Sequence, residues 1–153
     1  MHKKIIAVIG TADATPSQYD VAYEIGAGIA QRGFVLLSGG RTGVMEASCR
    51  GAAEAGGVVV GLLPGASAAG ANQWVAIPLA TGLSNARNAV IAQAADLLLA
   101  VGGGPGTLSE IGLGLKAGKP VIGVGSFKVE GLIACRDATT ALAQMDELNR
   151  DTP

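Results

Sequence analysis

The sequence predicts an α/β fold: one doubly wound domain over residues 1–153, with a mainly parallel sheet and helices on both of its faces. Three observations predict it. Short apolar runs that read as buried strands alternate with stretches of helical periodicity. The joins between them are short and rich in glycine, as after Ile9, Ser38 and Val101. A chain of 153 residues, 49% hydrophobic and 15% charged, also has enough apolar surface to cover a sheet on two sides.

The first strand is expected over residues 4–9, ending at Gly10; its apolar run is too short for a signal peptide. Residues 11–17 lead into a helix over 18–32, where Val21, Ala22, Ile25 and Ile29 repeat at helical spacing and Ser17 with Asp20 offers a cap. Gly33 ends that helix, and residues 34–38 form the second strand. Gly39, Gly40, Arg41, Thr42 and Gly43 then turn into a helix over 44–55. A third strand follows at 58–63, a loop of small residues at 64–72, and a short strand at 74–77. Residues 83–95 read as helix, 97–101 as strand, 108–117 as helix and 119–124 as the last core strand. The chain closes on an amphipathic helix reaching residue 150, capped by Thr139 or Thr140 and carrying Leu142, Met145 and Leu148.

The stretch 97–111 organises the rest. Five apolar residues run into Gly102, Gly103, Gly104, Pro105 and Gly106, and then into Thr107, Leu108, Ser109 and Glu110, which read as a helix start. Glycines let successive backbone N–H groups converge on one point, and the following helix adds its unpaired first-turn donors and the positive end of its dipole. An anion fits there without a lysine. No Lys-Ser/Thr follows the last glycine, and the spacing is not G-x-G-x-x-G, so neither common nucleotide loop is matched. In a parallel sheet the loops after the carboxyl ends of strands share one rim, so both glycine loops and residues 10–15 are expected to open onto one crevice.

Composition excludes several classes. Net charge is −1 and only five aromatic residues are present, which leaves neither a basic nucleic-acid footprint nor a stacking platform. Cys49 and Cys135 are isolated, which points to buried thiols in a reducing compartment rather than a zinc site. The single histidine, His2, argues against His-dependent catalysis or a metal centre. No apolar run reaches transmembrane length, so a cytoplasmic protein with no membrane partner is expected.

Two residues are ambiguous at the local level. With Ser84 as the cap of a helix over 85–95, Arg87 falls at its third position, where the dipole disfavours a cation and a capping box would want Glu or Gln. It is expected to lean over the rim. Glu110 is the reverse, since Thr107 and Glu110 fit the capping box T-x-x-E and helix stability alone would account for the carboxylate. Arg41 adds a guanidinium suited to phosphate. Gly112 and Gly114 inside a helix mark a close contact, either with another subunit or with the sheet beneath.

Gly39-Gly-Arg-Thr-Gly-Val-Met45, Arg87-Asn88 and Gly103-Gly-Pro-Gly-Thr-Leu-Ser-Glu110 together resemble the LOG and molybdenum-cofactor carrier superfamily, a Rossmann-like group, over most of the chain from Val8 to about Gly125. In LOG-type phosphoribohydrolases a P-G-G-x-G-T-x-E-E motif supplies a catalytic glutamate, with an upstream arginine as its partner. The resemblance carries these roles onto Glu110 and Arg87. Here Ser109 stands for the first glutamate, Val101 for the proline and Asn88 for a lysine, which is closer to the carrier-like branch. It implies a homodimer or homotetramer. The lysine-decarboxylase name often attached to the group is set aside, because no pocket lysine offers a Schiff base.

Two functions follow as expectations. In one, the crevice binds a phosphorylated pterin such as molybdenum cofactor, or a related nucleotide, without turnover. Its ligand contacts would be Gly10, Thr11, Gly39, Gly40, Arg41, Thr42, Gly43, Arg87, Asn88, Gly103, Gly104, Pro105, Gly106 and Thr107, with no metal site. In the other, Glu110 and Arg87 cleave a nucleoside 5′-monophosphate to free base and ribose 5-phosphate. A nucleotide sensor that reports through its assembly is a third possibility.

Overall fold

The computed structural model describes residues 2–151; residues 1, 152 and 153 of the expected 1–153 domain lie outside the described residues. Seven strands form one sheet in the order β4-β3-β2-β1-β5-β6-β7, and every pairing is parallel. They are β1 (Ile5–Gly10), β2 (Val35–Ser38), β3 (Val59–Leu63), β4 (Ile77–Ala80), β5 (Leu97–Val101), β6 (Val121–Val124) and β7 (Ile133–Cys135). The expected mainly parallel sheet is therefore wholly so. Parallel strands need covered crossovers, and five helices supply them: α1 (Pro16–Gln31), α2 (Val44–Glu54), α3 (Arg87–Ala94), α4 (Pro105–Lys116) and α5 (Ala138–Arg150).

Two apolar clusters share the sheet. Ile25 and Ile29 of α1, Val44 and Ala47 of α2, and Ala141 and Met145 of α5 pack on Ile6, Val8, Leu36 and Leu99. On the opposite face Ile91 and Ala92 of α3 and Ile111 of α4 pack on Ala7, Ile9, Leu98 and Ala100. β5 lies inside the sheet between β1 and β6 and is buried at every residue. α1 and α2 interlock through glycines: a methyl group at Gly26 would overlap the Ser48 carbonyl, and one at Gly51 the Tyr23 carbonyl. Cys49 is buried, Cys135 is half-buried, and both are free.

Several boundaries move for identifiable reasons. α1 starts at Pro16, whose fixed φ and missing N–H suit a first turn, and Thr15 forms the capping box with Gln18 in place of Ser17 with Asp20. β4 lies at Ile77–Ala80 instead of 74–77, because Asn72 holds a turn by accepting from the Trp74 and Val75 amides. The expected helix at 83–95 is divided: Ser84–Ala86 is a 3₁₀ turn, and Ser84, at φ 53°, makes no cap. Arg87 is consequently the first residue of α3, not its third. α4 begins at Pro105 with Gly104 as its cap, so Thr107 is inside the helix and no Thr107–Glu110 capping box exists. α5 is capped by Asp137, with Thr140 as the reciprocal partner. β7 was not expected.

The two helical glycines separate. A methyl at Gly114 would stand 3.1 Å from Leu98 and 3.3 Å from Val121, so that glycine serves helix-on-sheet packing within the chain, while Gly112 faces open space.

Candidate functional site

The strand order reverses between β1 and β5, and in an open parallel sheet a crevice opens at such a point. A cleft of about 250 Å³ occupies it, walled by Gly10, Thr11 and Ala12 after β1, Met45 at the start of α2, Asn85, Arg87 and Asn88 at the start of α3, and Gly104, Pro105, Gly106, Thr107 and Glu110 of α4. Nine predicted residues meet there: Gly10, Thr11, Arg87, Asn88, Gly104, Pro105, Gly106, Thr107 and Glu110. Ala12, Met45 and Asn85 were missed. Asn85 sits within the turn that delivers Arg87, and Met45 belongs to the motif that carries the family resemblance, so only their direction was hidden.

The remaining predicted residues lie behind or beside this cleft. Gly39 makes room for Arg87: an added methyl would stand 2.9 Å from its Nη2. Gly40, at φ 77°, donates to Ser38 Oγ at 2.9 Å, and its carbonyl accepts from the Asn72 amide at 2.8 Å. The Arg41 carbonyl accepts from Asn72 Nδ2 at 2.9 Å, and Thr42 Oγ1 donates to the Ala12 carbonyl at 2.9 Å. Gly43, at φ 65°, packs under residues 11 and 12 and caps α2. This loop braces Arg87 and the β1–α1 turn. Gly103 lines a neighbouring groove with Gln18, Gly125, Ser126 and Phe127. A larger cleft of about 570 Å³ near β6 and β7 contains none of the predicted residues.

Within the cleft the start of α4 is bare. Gly104 gives no side-chain cap and Pro105 has no N–H, so the Gly106 and Thr107 amides head the helix where its dipole is positive. Ser109 Oγ donates to the Gly106 carbonyl at 2.6 Å and accepts from Asn88 Nδ2 at 3.3 Å; Asn88 Oδ1 accepts from Arg87 Nη1. Asn88, only 8% exposed, thereby ties the arginine to the helix start. Arg87 Nε is buried with no hydrogen-bond partner among the described residues. Burial holds the guanidinium below its usual value, the Glu110 carboxylate opposes that, and Arg41 adds to it; the group stays charged at neutral pH.

Glu110 is 7% exposed and makes neither a hydrogen bond nor an ion pair among the described residues. Burial pushes its carboxyl up to about 7, against the pull of Arg87. Such a group exchanges its proton near neutral pH and is a candidate acid or base. Among the described residues no cluster of three or more His, Cys, Asp or Glu side chains offers a metal site, and no helix is long and apolar enough to cross a membrane.

Known proteins are similar to this chain in sequence and fold. A protein of Archaeoglobus fulgidus described only as uncharacterized is 46% identical over 116 residues, 76% of each chain. The structure of the molybdenum cofactor binding protein from Rippkaea orientalis is similar with a TM-score of 0.93 and 35% identity, covering 97% of this chain and 99% of that one. The molybdenum cofactor carrier protein from Chlamydomonas reinhardtii is similar with a TM-score of 0.90 and 39% identity, over 98% of this chain and 100% of that one. Residues 3–151 match the SLOG cluster4 family, and the chain belongs to it.

Proposed function

We propose that the cleft between β1 and β5 binds a phosphorylated small molecule, a phosphorylated pterin of the molybdenum-cofactor type, and holds it without turnover. The observation that carries this reading is the bare start of α4 facing a cleft with a half-buried arginine whose buried Nε has no partner among the described residues. The phosphate would sit on the Gly106 and Thr107 amides, with Arg87 balancing its charge. Added methyls at Gly104 and Gly106 would touch nothing closer than 3.9 Å, so ligand atoms have room to approach the backbone there. A second cleft of about 550 Å³ shares Asn85, Asn88, Pro105 and Gly106 and adds Ala86, Ala89 and Leu113, a suitable floor for a flat ring. The similarity to molybdenum cofactor carriers favours a pterin over a nucleotide.

Leu83, Val90, Leu108 and Leu113 are large apolar side chains exposed around α3 and α4. They support self-association as a homodimer or homotetramer on that side. A cytoplasmic setting, with neither membrane nor nucleic acid as partner, goes with this reading.

The test is retention. Protein mixed with molybdenum cofactor and desalted should carry pterin, read by fluorescence after oxidation, in proportion to the chain. Arg87→Ala should weaken retention about 10- to 100-fold, the worth of a charge-assisted hydrogen bond. Equal retention by the variant would refute the site.

Glu110 favours a second reading, hydrolysis of a nucleoside 5′-monophosphate, because a buried carboxyl freed from any capping role is what an N-glycosidase would use to steady an oxocarbenium-like centre. Free base released from a nucleoside monophosphate, abolished by both Glu110→Gln and Arg87→Ala, would establish it and displace the carrier.

A further inference from the structure

An acidic side chain pointing into a cleft built for an anion needs an explanation. Glu110 lies on the same first two turns of α4 whose amides head the cleft, it is nine-tenths buried, and none of the described residues hydrogen-bonds to it. Arg87, from α3, is the charged group that faces it; Arg41, from the β2–α2 turn, acts on Arg87 in its turn. The β1–α1 turn and the start of α2 bring Gly10, Thr11, Ala12 and Met45, none of which titrates.

Arg87 is therefore shared. In the free protein its positive charge stabilises the Glu110 carboxylate against burial. A phosphate dianion seated at the head of α4 engages the same guanidinium and adds a second anionic group, with its two negative charges, inside the cleft. Both changes disfavour the carboxylate.

We propose that Glu110 takes up one proton from solvent when a phosphate ester enters the α4 cleft, so that the site loads as pH falls and unloads as pH rises. This rests on the anion-binding reading given above. The protonated carboxyl becomes an O–H donor aimed at the ligand, and the complex holds one anion beside one arginine, not two. Binding and proton uptake are then linked, and affinity falls with pH wherever the free carboxyl is ionised.

The probe is guanosine 5′-monophosphate, whose phosphate is already dianionic above pH 7. With the free carboxyl at about 7 and the bound one protonated throughout, affinity should fall about 15-fold between pH 7 and 8.5. Calorimetry at pH 7.5 in buffers of different ionisation enthalpy should show about three-quarters of a proton taken up per ligand. Glu110→Gln should bind with no uptake and with affinity flat across that range. Binding without uptake in the native protein, or uptake that persists in the variant, overturns the linkage and leaves the anion site standing. The native buffer series decides this even if the variant folds poorly. If neither this nucleotide, nor inorganic phosphate, nor a phosphorylated pterin binds between pH 6 and 8.5, the anion site falls and the linkage with it.

Discussion

Replacing Glu110 with glutamine should stabilise the fold, and by an amount that grows with pH. A carboxyl displaced from its ordinary 4.5 to about 7 on folding represents about 3 kcal/mol. The sign follows from which state holds the proton more tightly. The folded chain does, so the group's contribution is whole below pH 4.5, is lost progressively as pH rises to about 7, and is absent above it. Glutamine keeps a neutral, similarly shaped side chain at every pH and escapes that loss. Urea unfolding of both proteins at intervals from pH 4.5 to 8, with equal slopes, gives the difference directly. The variant's stability relative to the native protein should rise by about 3 kcal/mol over that span, nearly all of it below pH 7.5. A difference that stays constant with pH would show that Glu110 is not held in a desolvated site, and both the acid–base and the proton-uptake arguments would lose their basis.

Two further substitutions test the architecture around the cleft. Gly106→Ala places a methyl 3.9 Å from Asn88 Nδ2, an ordinary contact, so stability should hold or rise by up to about 0.5 kcal/mol while phosphate-ester affinity drops about tenfold; unchanged affinity by calorimetry would place the ligand elsewhere. Gly51→Ala drives a methyl into the Tyr23 carbonyl and forces α1 and α2 apart, which should cost about 3 kcal/mol in urea unfolding, and a native-like midpoint would contradict the interlock.

The strands and helices were legible because each buried strand is an apolar run and each helix carries a stripe. β7 escaped because its three residues, half-buried or exposed at the sheet edge, form no such run. The head of α4 misled for a sharper reason: T-x-x-E is a good capping pattern, but Pro105 is a better first residue, and starting the helix there carries Thr107 into its interior. That one shift converts Glu110 from a structural cap into an unpartnered carboxyl. Arg87 was singled out for violating a helix-start preference, and the violation is real although its position is the first and not the third. The two glycine loops look alike as text. Only in three dimensions does one open onto the cleft while Gly39 in the other simply clears space for a guanidinium.

The central pairing of the sheet also sets the order in which the molecule can be completed. β1 to β4 lie side by side in chain order, but the partner on the other side of β1 is β5, joined where the Ile5 amide donates to Asp96 Oδ2 across 91 residues. Until that loop closes, an apolar strand is left as a raw edge open to strangers, the condition under which nascent chains clump. The cleft does not yet exist at that stage, because one wall comes from residues 10–12 and the other from residues 104–110. A ligand recognises only the finished chain and draws the equilibrium toward it. The readiness to load a ligand therefore hangs on one event, the seating of β5 against β1.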